Sequence, residues 1–406
     1  MDFEQLTLPN GIKVVHRQIP SPVACCCLMV NTGSRDEAHD EHGAAHLVEH
    51  MIFKGTSRRR AHHILSRLDN VGGELNAYTS KEETVVHATC LRADYARAME
   101  LVADIVLSSV FPERELLKER EVVLDEINSY RDSPSELIYD EFESMVFGTH
   151  PLGHNILGTA ESVRGLSRDR LMGFVAQRYN TDQMVFCSVA DVPARRVLQL
   201  AERHLGHAPC NPRTYARARP LSYVPAHQSL DRGTHQAHCV MGAPAYALHS
   251  DRRHALFLLN NILGGPGMNS RLGIALRERH GIAYNVEAAY QPYIDTGLCT
   301  IYFGTDHHHM RRAQQLVRDE LERLQQCPLS PVQLARAKRQ LLGQLAIAAE
   351  SAEALMLSAA KGFLVYDVPE DARETASRIE AVSAQLLMEV AQEVWGQRAM
   401  SSITYI

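Results

Sequence analysis

Two histidines and one glutamate interrupt an otherwise apolar segment near residue 50, which reads HLVEHMIF. An α-helix has about 3.6 residues per turn, so positions i, i+3, i+4 and i+7 lie on one face. His46, Glu49, His50 and Phe53 have this spacing. A helix that buries its apolar side here must therefore carry a row of polar groups beside the core, which suits a functional site.

Two imidazoles one helical turn apart can bind the same cation, and a glutamate between them can orient a water molecule. Zinc suits such a site because neutral imidazole is one of its preferred ligands and its catalytic sites keep one position open for solvent. The alternative is a solvated helical face with scattered histidines. These five residues alone leave both interpretations open.

A second helical segment, PERELLKEREVVLDEINSYR, offers a third ligand. Its predicted core-facing stripe has three apolar members, Val122, Val123 and Ile127. Glu119 and Glu126 lie in the same stripe, two turns apart. An unpaired carboxylate that faces a core is destabilising by several kcal/mol, so this placement predicts a nearby cation or strong donors. The alternative is a pair of edge glutamates that form surface ion pairs with Lys118 or Arg120.

Length and composition exclude several classes of protein. A chain of 406 residues favours two or more domains. Hydrophobic residues make up 45% and charged residues 22%, which is typical of a soluble globular protein. The net charge is -6 and the basic runs are short, so no nucleic-acid partner is expected. No membrane partner is expected either, and the absence of a visible signal or transit peptide predicts a cytoplasmic location.

Apolar runs divide the first half of the chain into strands followed by helices. The predicted strands cover residues 11–18, 23–30, 74–80 and 84–91. The predicted helices cover about 42–54, 60–70, 94–108, 113–131 and 135–146. This order indicates an α+β fold, in which a mainly antiparallel sheet has helices packed on one face.

A proline-rich segment separates the two halves of the chain. Four prolines and little apolar periodicity between residues 206 and 225 predict a linker at 208–225. Beyond it the order recurs, with predicted strands near 235–244, 282–291, 297–304 and 401–406 and predicted helices near 251–263, 270–280 and 307–395. We therefore expect two similar domains, at 1–207 and 226–406.

Five segments along the chain, HGAAHLVEHMIFKGT, ELNAYTSKEET, EREVVLDEINSYRDSP, PLGHNILGT and SRLGIALRERHGIAYNV, occur in the order and spacing of a known family. Together they resemble the pitrilysin/insulinase family (M16) of zinc peptidases, whose H-x-x-E-H motif inverts the commoner zinc-peptidase order. The chain is most similar to the short members, which are bacterial processing peptidases and the catalytic subunit of mitochondrial processing peptidase. The resemblance implies that the two domains together form one half of a metallopeptidase clamshell.

The resemblance also implies roles for single residues. His46, His50 and Glu126 are the expected ligands of one Zn²⁺ per chain. Glu49 is the expected general base, which takes a proton from the attacking water and passes it to the leaving amine. Glu119 is expected to support the ligands from behind without contacting the metal.

Substrate contacts are implied in both domains. Asn76 and Ala77 match the edge strand on which an extended peptide adds itself as a further strand. Phe53 matches a pocket residue beside the scissile bond, with ordinary core packing as the alternative. Arg277 and Tyr284 match a pair of donors that contacts the substrate from the second domain. By sequence pattern alone, Arg277 would be a charge on a helix surface and Tyr284 an aromatic residue of a strand.

These assignments imply a zinc-dependent endopeptidase that cleaves peptides or short unfolded segments inside a closed chamber. The chain has both the metal motif and the Arg277/Tyr284 pair, so the expected assembly is a homodimer. Two alternatives are a subunit of a heteromeric processing peptidase and a non-catalytic scaffold subunit.

Two other features favour no separate function. Cys25, Cys26 and Cys27 lie in a continuous apolar run and are expected to act as small buried hydrophobes. The tract His307–His309 resembles a metal-binding sequence, but consecutive residues of a helix point to different sides. A solvated helix terminus is therefore the favoured interpretation there.

Overall fold

The computed structural model describes residues 3–220, 222–369, 372–396 and 399–406. These residues form two compact units. The described residues of Met1–Asn128, His154–Arg217 and Ile347–Asp371 make up the first unit. Those of Ser129–Gly153, Ala218–Ala346 and Ala372–Ile406 make up the second. Each unit therefore contains a segment from the other half of the chain.

A mixed sheet forms the centre of the first unit. Its strands are β1 (Glu4–Thr7), β2 (Lys13–Gln18), β3 (Val23–Val30), β4 (Glu74–Thr79), β5 (Thr84–Leu91) and β6 (Met184–Ala190). Their order is β1-β2-β6-β3-β5-β4, and every neighbouring pair is antiparallel except β2 with β6. Strand β4 therefore lies at one edge of the sheet.

The second unit repeats this arrangement. Its strands are β7 (His227–Leu230), β8 (Ala237–Ala245), β9 (Ala283–Pro292), β10 (Gly297–Thr305) and β11 (Ser401–Tyr405). Their order is β7-β11-β8-β10-β9, again with one parallel pair, β7 with β11. Counted from β4 in the first sheet and from β9 in the second, the parallel pair is the fourth and fifth strand of both orders. Strand β9 is therefore the counterpart of β4. The predicted pair of similar α+β domains with mainly antiparallel sheets is confirmed.

The helices cover these sheets and connect their strands. In chain order they are α1 (Ala44–Ile52), α2 (Ala61–Asp69), α3 (Tyr95–Leu107), α4 (Glu113–Arg131), α5 (Pro134–Phe147), α6 (Ala160–Gly165), α7 (Arg168–Arg178), α8 (Ala194–His204), α9 (Arg253–Gly264), α10 (Met310–Gln326), α11 (Pro331–Ala348), α12 (Ala352–Tyr366), α13 (Ala372–Ala381) and α14 (Ala384–Ala391). Gly273–Arg279, within the helix predicted at 270–280, is π-helical. Within the described residues no single helix is long and apolar enough to cross a bilayer, although the bent pair α11 and α12 meets that test of length and composition together.

Helices cover both faces of each sheet, not one. In the first unit α3 and α8 contact one face, and α12 packs against the apolar side chains of the other face. In the second unit α9, α10 and α14 cover one face, and α5 packs on the opposite face. The additional layers come from α12 and α5, which are distant in sequence from the strands that they cover. A local sequence pattern cannot show which sheet such a helix covers.

This double covering explains the composition of β3, whose sequence is VACCCLMV. A strand that is buried on both faces is apolar throughout instead of alternating. Cys25, Cys26 and Cys27 are at most 2% exposed. All nine cysteines of the chain are free thiols. The triplet therefore packs as small hydrophobic residues, as expected.

The predicted linker contains no helix or strand among its described residues, yet part of it is attached to the first unit. The Tyr215 ring contacts the guanidinium groups of Arg178 and Arg213, which lie 4.3 and 4.8 Å from its centroid. Further along, Arg217 donates to Asp36 Oδ2 at 2.7 Å, and the side chain of Asp36 is fully buried. Burial lowers the pKa of Arg217, but the paired carboxylate outweighs burial and the net direction is upward.

We predict that Arg217→Met lowers the free energy of unfolding by about 3–5 kcal/mol, because it removes the cation from a buried ion pair and leaves the carboxylate uncompensated. Urea denaturation followed by circular dichroism measures the change. The matched control is Arg219→Met, at an exposed arginine of the same segment, which should change stability by less than about 0.5 kcal/mol. Equal effects of the two substitutions would show that the ion pair does not stabilise this unit.

Candidate metal centre and active site

Helix α1, which carries the two candidate histidine ligands, begins after a glycine in the left-handed backbone conformation. Gly43 precedes the helix with φ of 89°, and a Cβ there would lie 2.7 Å from the Leu157 carbonyl oxygen. The buried carboxylate of Glu37 accepts from the backbone N–H groups of Gly43 at 3.0 Å and Ala45 at 2.9 Å. These bonds satisfy amides that a helix start leaves without partners. Burial raises the pKa of Glu37, and the two N–H donors oppose that shift.

Three potential ligand atoms converge between α1 and α4. His46 Nε2 and His50 Nε2 each lie 3.7 Å from Glu126 Oε2. All three ligand atoms lie within 4.8 Å of one another. These distances are too long for hydrogen bonds. They approach the separation of about 3.3 Å expected for two ligand atoms on one tetrahedral zinc ion with bonds near 2.05 Å.

The protonation of His46 also suits a metal ligand. The side chain is buried, and burial together with the neighbouring His50 lowers its pKa to about 3. The ring is therefore neutral near pH 7, which is the form that binds a metal. Two neutral imidazoles and one carboxylate are a typical donor set for zinc with an open coordination position. The residues present therefore fit the metal that the sequence predicts.

A second carboxylate supports this group from behind. Glu119 Oε2 lies 3.1 Å from His50 Nδ1, and Glu119 Oε1 lies 2.7 Å from Lys54 Nζ. A carboxylate bonded to one ring nitrogen fixes the tautomer and leaves the other nitrogen free as a ligand. Lys54 was not among the residues predicted from the sequence. Its position four residues after His50, inside the helix predicted at 42–54, is the signal that could have found it.

The surroundings of α4 decide between the two interpretations of its glutamates. Lys118 Nζ pairs with Glu115 Oε1 at 2.9 Å, and the Arg120 guanidinium donates to the Leu166 carbonyl. Glu119 pairs with neither Lys118 nor Arg120; it contacts His50 and Lys54 instead. The predicted stripe was wrong for Val122, which is 48% exposed. Val123 and Ile127 are buried as expected, so Glu119 and Glu126 lie on α4 beside apolar side chains that face the core.

Glu49 lies on α1 between the two histidines and is half-buried. Burial raises the pKa of its carboxyl, Thr79 and His50 oppose the shift, and Glu126 reinforces it. Thr79 is the last residue of β4, and α1 contacts this strand. The side chain proposed as general base therefore lies beside both the ligand group and the sheet edge.

Strand β4, the edge strand expected to bind substrate, carries Asn76 and Ala77. Asn76 is opposite His87 and Ala77 opposite Val86 on β5, and no other strand among the described residues pairs with β4. Asn76 is exposed and Ala77 half-buried. Phe53 follows the last residue of α1 as its C-cap and is half-buried, which is compatible with either a pocket or a packing role.

Arg277 and Tyr284 lie in the second unit, beside its edge strand. Arg277 belongs to the π-helical segment, and its Nε donates to Glu278 Oε1 at 2.9 Å. It lines a cavity of about 270 Å³ together with the glycine-rich turn after α9 and residues 286–288 of β9. Tyr284, near the start of β9, is 82% exposed. Both donors are thus available at the counterpart of the β4 edge.

Comparison with known proteins covers nearly the whole chain. Residues 13–160 match the family described as insulinase (peptidase family M16), and residues 165–341 match the peptidase M16 inactive domain. An uncharacterized zinc protease of Streptomyces coelicolor is 33% identical over 98% of this chain and 88% of its own length. The uncharacterized zinc protease YmxG of Bacillus subtilis is 31% identical over 97% of this chain and 96% of its own length.

Solved structures share the fold at lower identity. A protease from Helicobacter pylori superposes with a TM-score of 0.93 at 22% identity, over 100% of this chain and 99% of that chain. A peptidase M16 inactive domain from Pseudomonas fluorescens gives a TM-score of 0.92 at 20% identity, over 100% of this chain and 98% of the other. By the full-length similarity to zinc proteases and by the two matched domains, the chain belongs to peptidase family M16.

Proposed function

We propose that this protein is a zinc-dependent endopeptidase that cleaves peptides or short unfolded segments inside a closed chamber. The observation that carries the proposal is the convergence of His46, His50 and Glu126, with the Glu119 carboxylate bonded behind His50. The relatives named as zinc proteases support the same chemistry at the level of the family.

In this mechanism the side chains of the first unit prepare the attack. His46, His50 and Glu126 would hold a zinc ion, which would supply the Lewis acidity that polarises a carbonyl and acidifies water. Glu49 takes the proton of the attacking water and transfers it to the leaving amine. Its burial suits this role, since a raised pKa makes the carboxylate a better proton acceptor. The scissile peptide lies extended along β4, held by main-chain hydrogen bonds at Asn76 and Ala77.

The second unit supplies donors for the substrate. The Tyr284 phenol and the Arg277 guanidinium can donate to a carbonyl oxygen as it gains negative charge. The exposure of Tyr284 leaves its hydroxyl available for such a contact. Binding through main chain along an edge strand selects an extended conformation more strongly than a sequence, so the substrate class is unfolded peptide. A role as a non-catalytic scaffold is disfavoured because the ligand group and its supporting carboxylate are both present.

We expect Glu49→Gln to retain zinc and to lower the turnover of peptide cleavage roughly 100- to 10,000-fold, because the amide cannot accept the proton of water. Peptide cleavage followed by mass spectrometry measures turnover, and elemental analysis measures the metal. Glu121→Gln, at an exposed glutamate of α4, is the matched control and should keep wild-type turnover. Wild-type turnover in Glu49→Gln with bound zinc would remove this residue from the mechanism.

We expect Glu119→Gln to weaken zinc binding about 10- to 100-fold without abolishing it, because the neutral amide no longer holds the His50 tautomer as firmly. Glu126→Gln, which changes a proposed ligand, should be the more damaging substitution. Competition with a chelator of known affinity measures both variants against the wild type. A Glu119→Gln protein with unchanged zinc affinity would contradict the supporting role.

We further propose that the active assembly is a homodimer, in which the metal site of one chain faces Arg277 and Tyr284 of its partner. The proposal is supported by the presence of both functional groups in one chain. A subunit of a heteromeric peptidase would instead depend on a different chain for one of them. Size-exclusion chromatography with light scattering on the purified protein measures the assembly directly.

Mixing inactive variants tests whether the sites are shared. When Glu49→Gln and Tyr284→Phe chains exchange at random, half of the dimers are mixed, and each mixed dimer has one intact composite site. Cleavage should therefore recover to about a quarter of the wild-type rate. Absence of recovery, with subunit exchange demonstrated by fluorescence transfer between labelled chains, would reject sharing across subunits.

A further inference from the structure

A second group of metal-ligand side chains lies in the second unit, at the turn between β10 and α10. Ligand atoms of Asp306, His308 and His309 lie within 4.8 Å of one another. Among the residues that the structure describes, His46, His50 and Glu126 form the other group that meets this distance. The two groups use separate residues, so the second one is independent of the proposed peptidase chemistry.

The backbone of the turn brings these side chains together. Strand β10 ends at Thr305, and Asp306 is extended with φ of −69° and ψ of 147°. The His309 N–H then donates to the Asp306 carbonyl at 2.9 Å, which closes one 3₁₀ turn before α10. The closed turn holds the carboxylate of its first residue near the rings of its last two residues.

The three histidines of the tract do not share one environment. The rings of His308 and His309 have centroids 3.9 Å apart at an angle of 46°. The ring of His307 is held elsewhere, with Nε2 2.9 Å from the Thr234 carbonyl oxygen. Consecutive residues were expected to point to different sides, and this expectation was wrong for His308 and His309. Both residues belong to the 3₁₀ turn that precedes α10.

The chemistry of the group suits a cation. Neutral imidazole and carboxylate are ligands of zinc and other divalent transition metals, and three protein ligands leave positions for water. Asp306 and His308 are exposed, and His309 is half-buried, so these side chains can adjust their rotamers around an ion.

We propose that Asp306, His308 and His309 bind a second divalent transition-metal ion, of the class that includes Zn²⁺, Ni²⁺ and Cu²⁺. Exposure of the ligands predicts weaker binding than at the group between α1 and α4. The two sites should therefore separate in a titration. His307 takes no part, because its ring already contacts the Thr234 carbonyl.

Equilibrium dialysis of the chelator-treated full-length protein against Zn²⁺ tests the proposal. We expect the wild type to bind two equivalents with different affinities. The double substitution His308→Ala/His309→Ala should lose the weaker equivalent and keep the tighter one, whereas His46→Ala/His50→Ala should do the reverse. His307→Ala should retain both. In the wild type, Cu²⁺ loaded at the weaker site should give an electron paramagnetic resonance signal split by two nitrogens.

A second tandem pair is the matched control for binding by histidines alone. His62 and His63 are exposed, and their ring centroids are 3.8 Å apart at 46°, but no carboxylate among the described residues completes a ligand group there. His62→Ala/His63→Ala should keep both equivalents. A wild type that binds one equivalent, or a weaker equivalent that survives in His308→Ala/His309→Ala, would overturn the proposal. Neither result bears on the tighter site, whose loss in His46→Ala/His50→Ala tests the peptidase centre separately.

Discussion

The contact between His50 and Glu119 connects the two helices on which the candidate active site depends. It places a buried carboxylate of α4 3.1 Å from a ring nitrogen of α1, and Lys54 holds the other carboxylate oxygen at 2.7 Å. A buried carboxylate without such partners would be strongly unfavourable. The same contact orients the free nitrogen of His50 toward Glu126. One interaction therefore both pairs a buried carboxylate and orients a candidate ligand, which explains an acidic residue on a helical face that also carries Val123.

The position of α1 follows from constraints at both ends of the site. Glu37 bonds the N–H groups of Gly43 and Ala45 and so fixes where the helix begins. The body of the helix contacts β4, the edge of the first sheet. The proposed base and the proposed peptide-binding strand are thereby held on one rigid support. Sites that rest on helices and strands keep their geometry more accurately than sites on loops.

Sequence reasoning was most successful where the chemistry is local. The spacing of His46 and His50 is a property of one helix, and the convergence with Glu126 required only that a second amphipathic helix face it. Three features depended on information that a local pattern lacks. Helices α5 and α12 cover sheets far from them in sequence, Val122 is exposed instead of facing the core, and Glu37 caps α1 from outside the usual capping-box spacing. Strand β6, in the middle of the first sheet, was also not among the predicted strands.

The duplicated architecture shows how one scaffold supports different chemistry. In the first unit α1, with its row of two histidines and a glutamate, contacts the edge strand. In the second unit α9 contacts the equivalent strand β9, but its buried face is mainly apolar and it bonds the strand through Asn260 Nδ2 to the Ala288 carbonyl at 2.7 Å. The fold requires only that this helix pack on the sheet edge. A row of polar residues on this helix is therefore not needed for folding, so the spacing of the candidate ligands on α1 indicates function. In the second unit the equivalent strand β9 instead carries the exposed Tyr284.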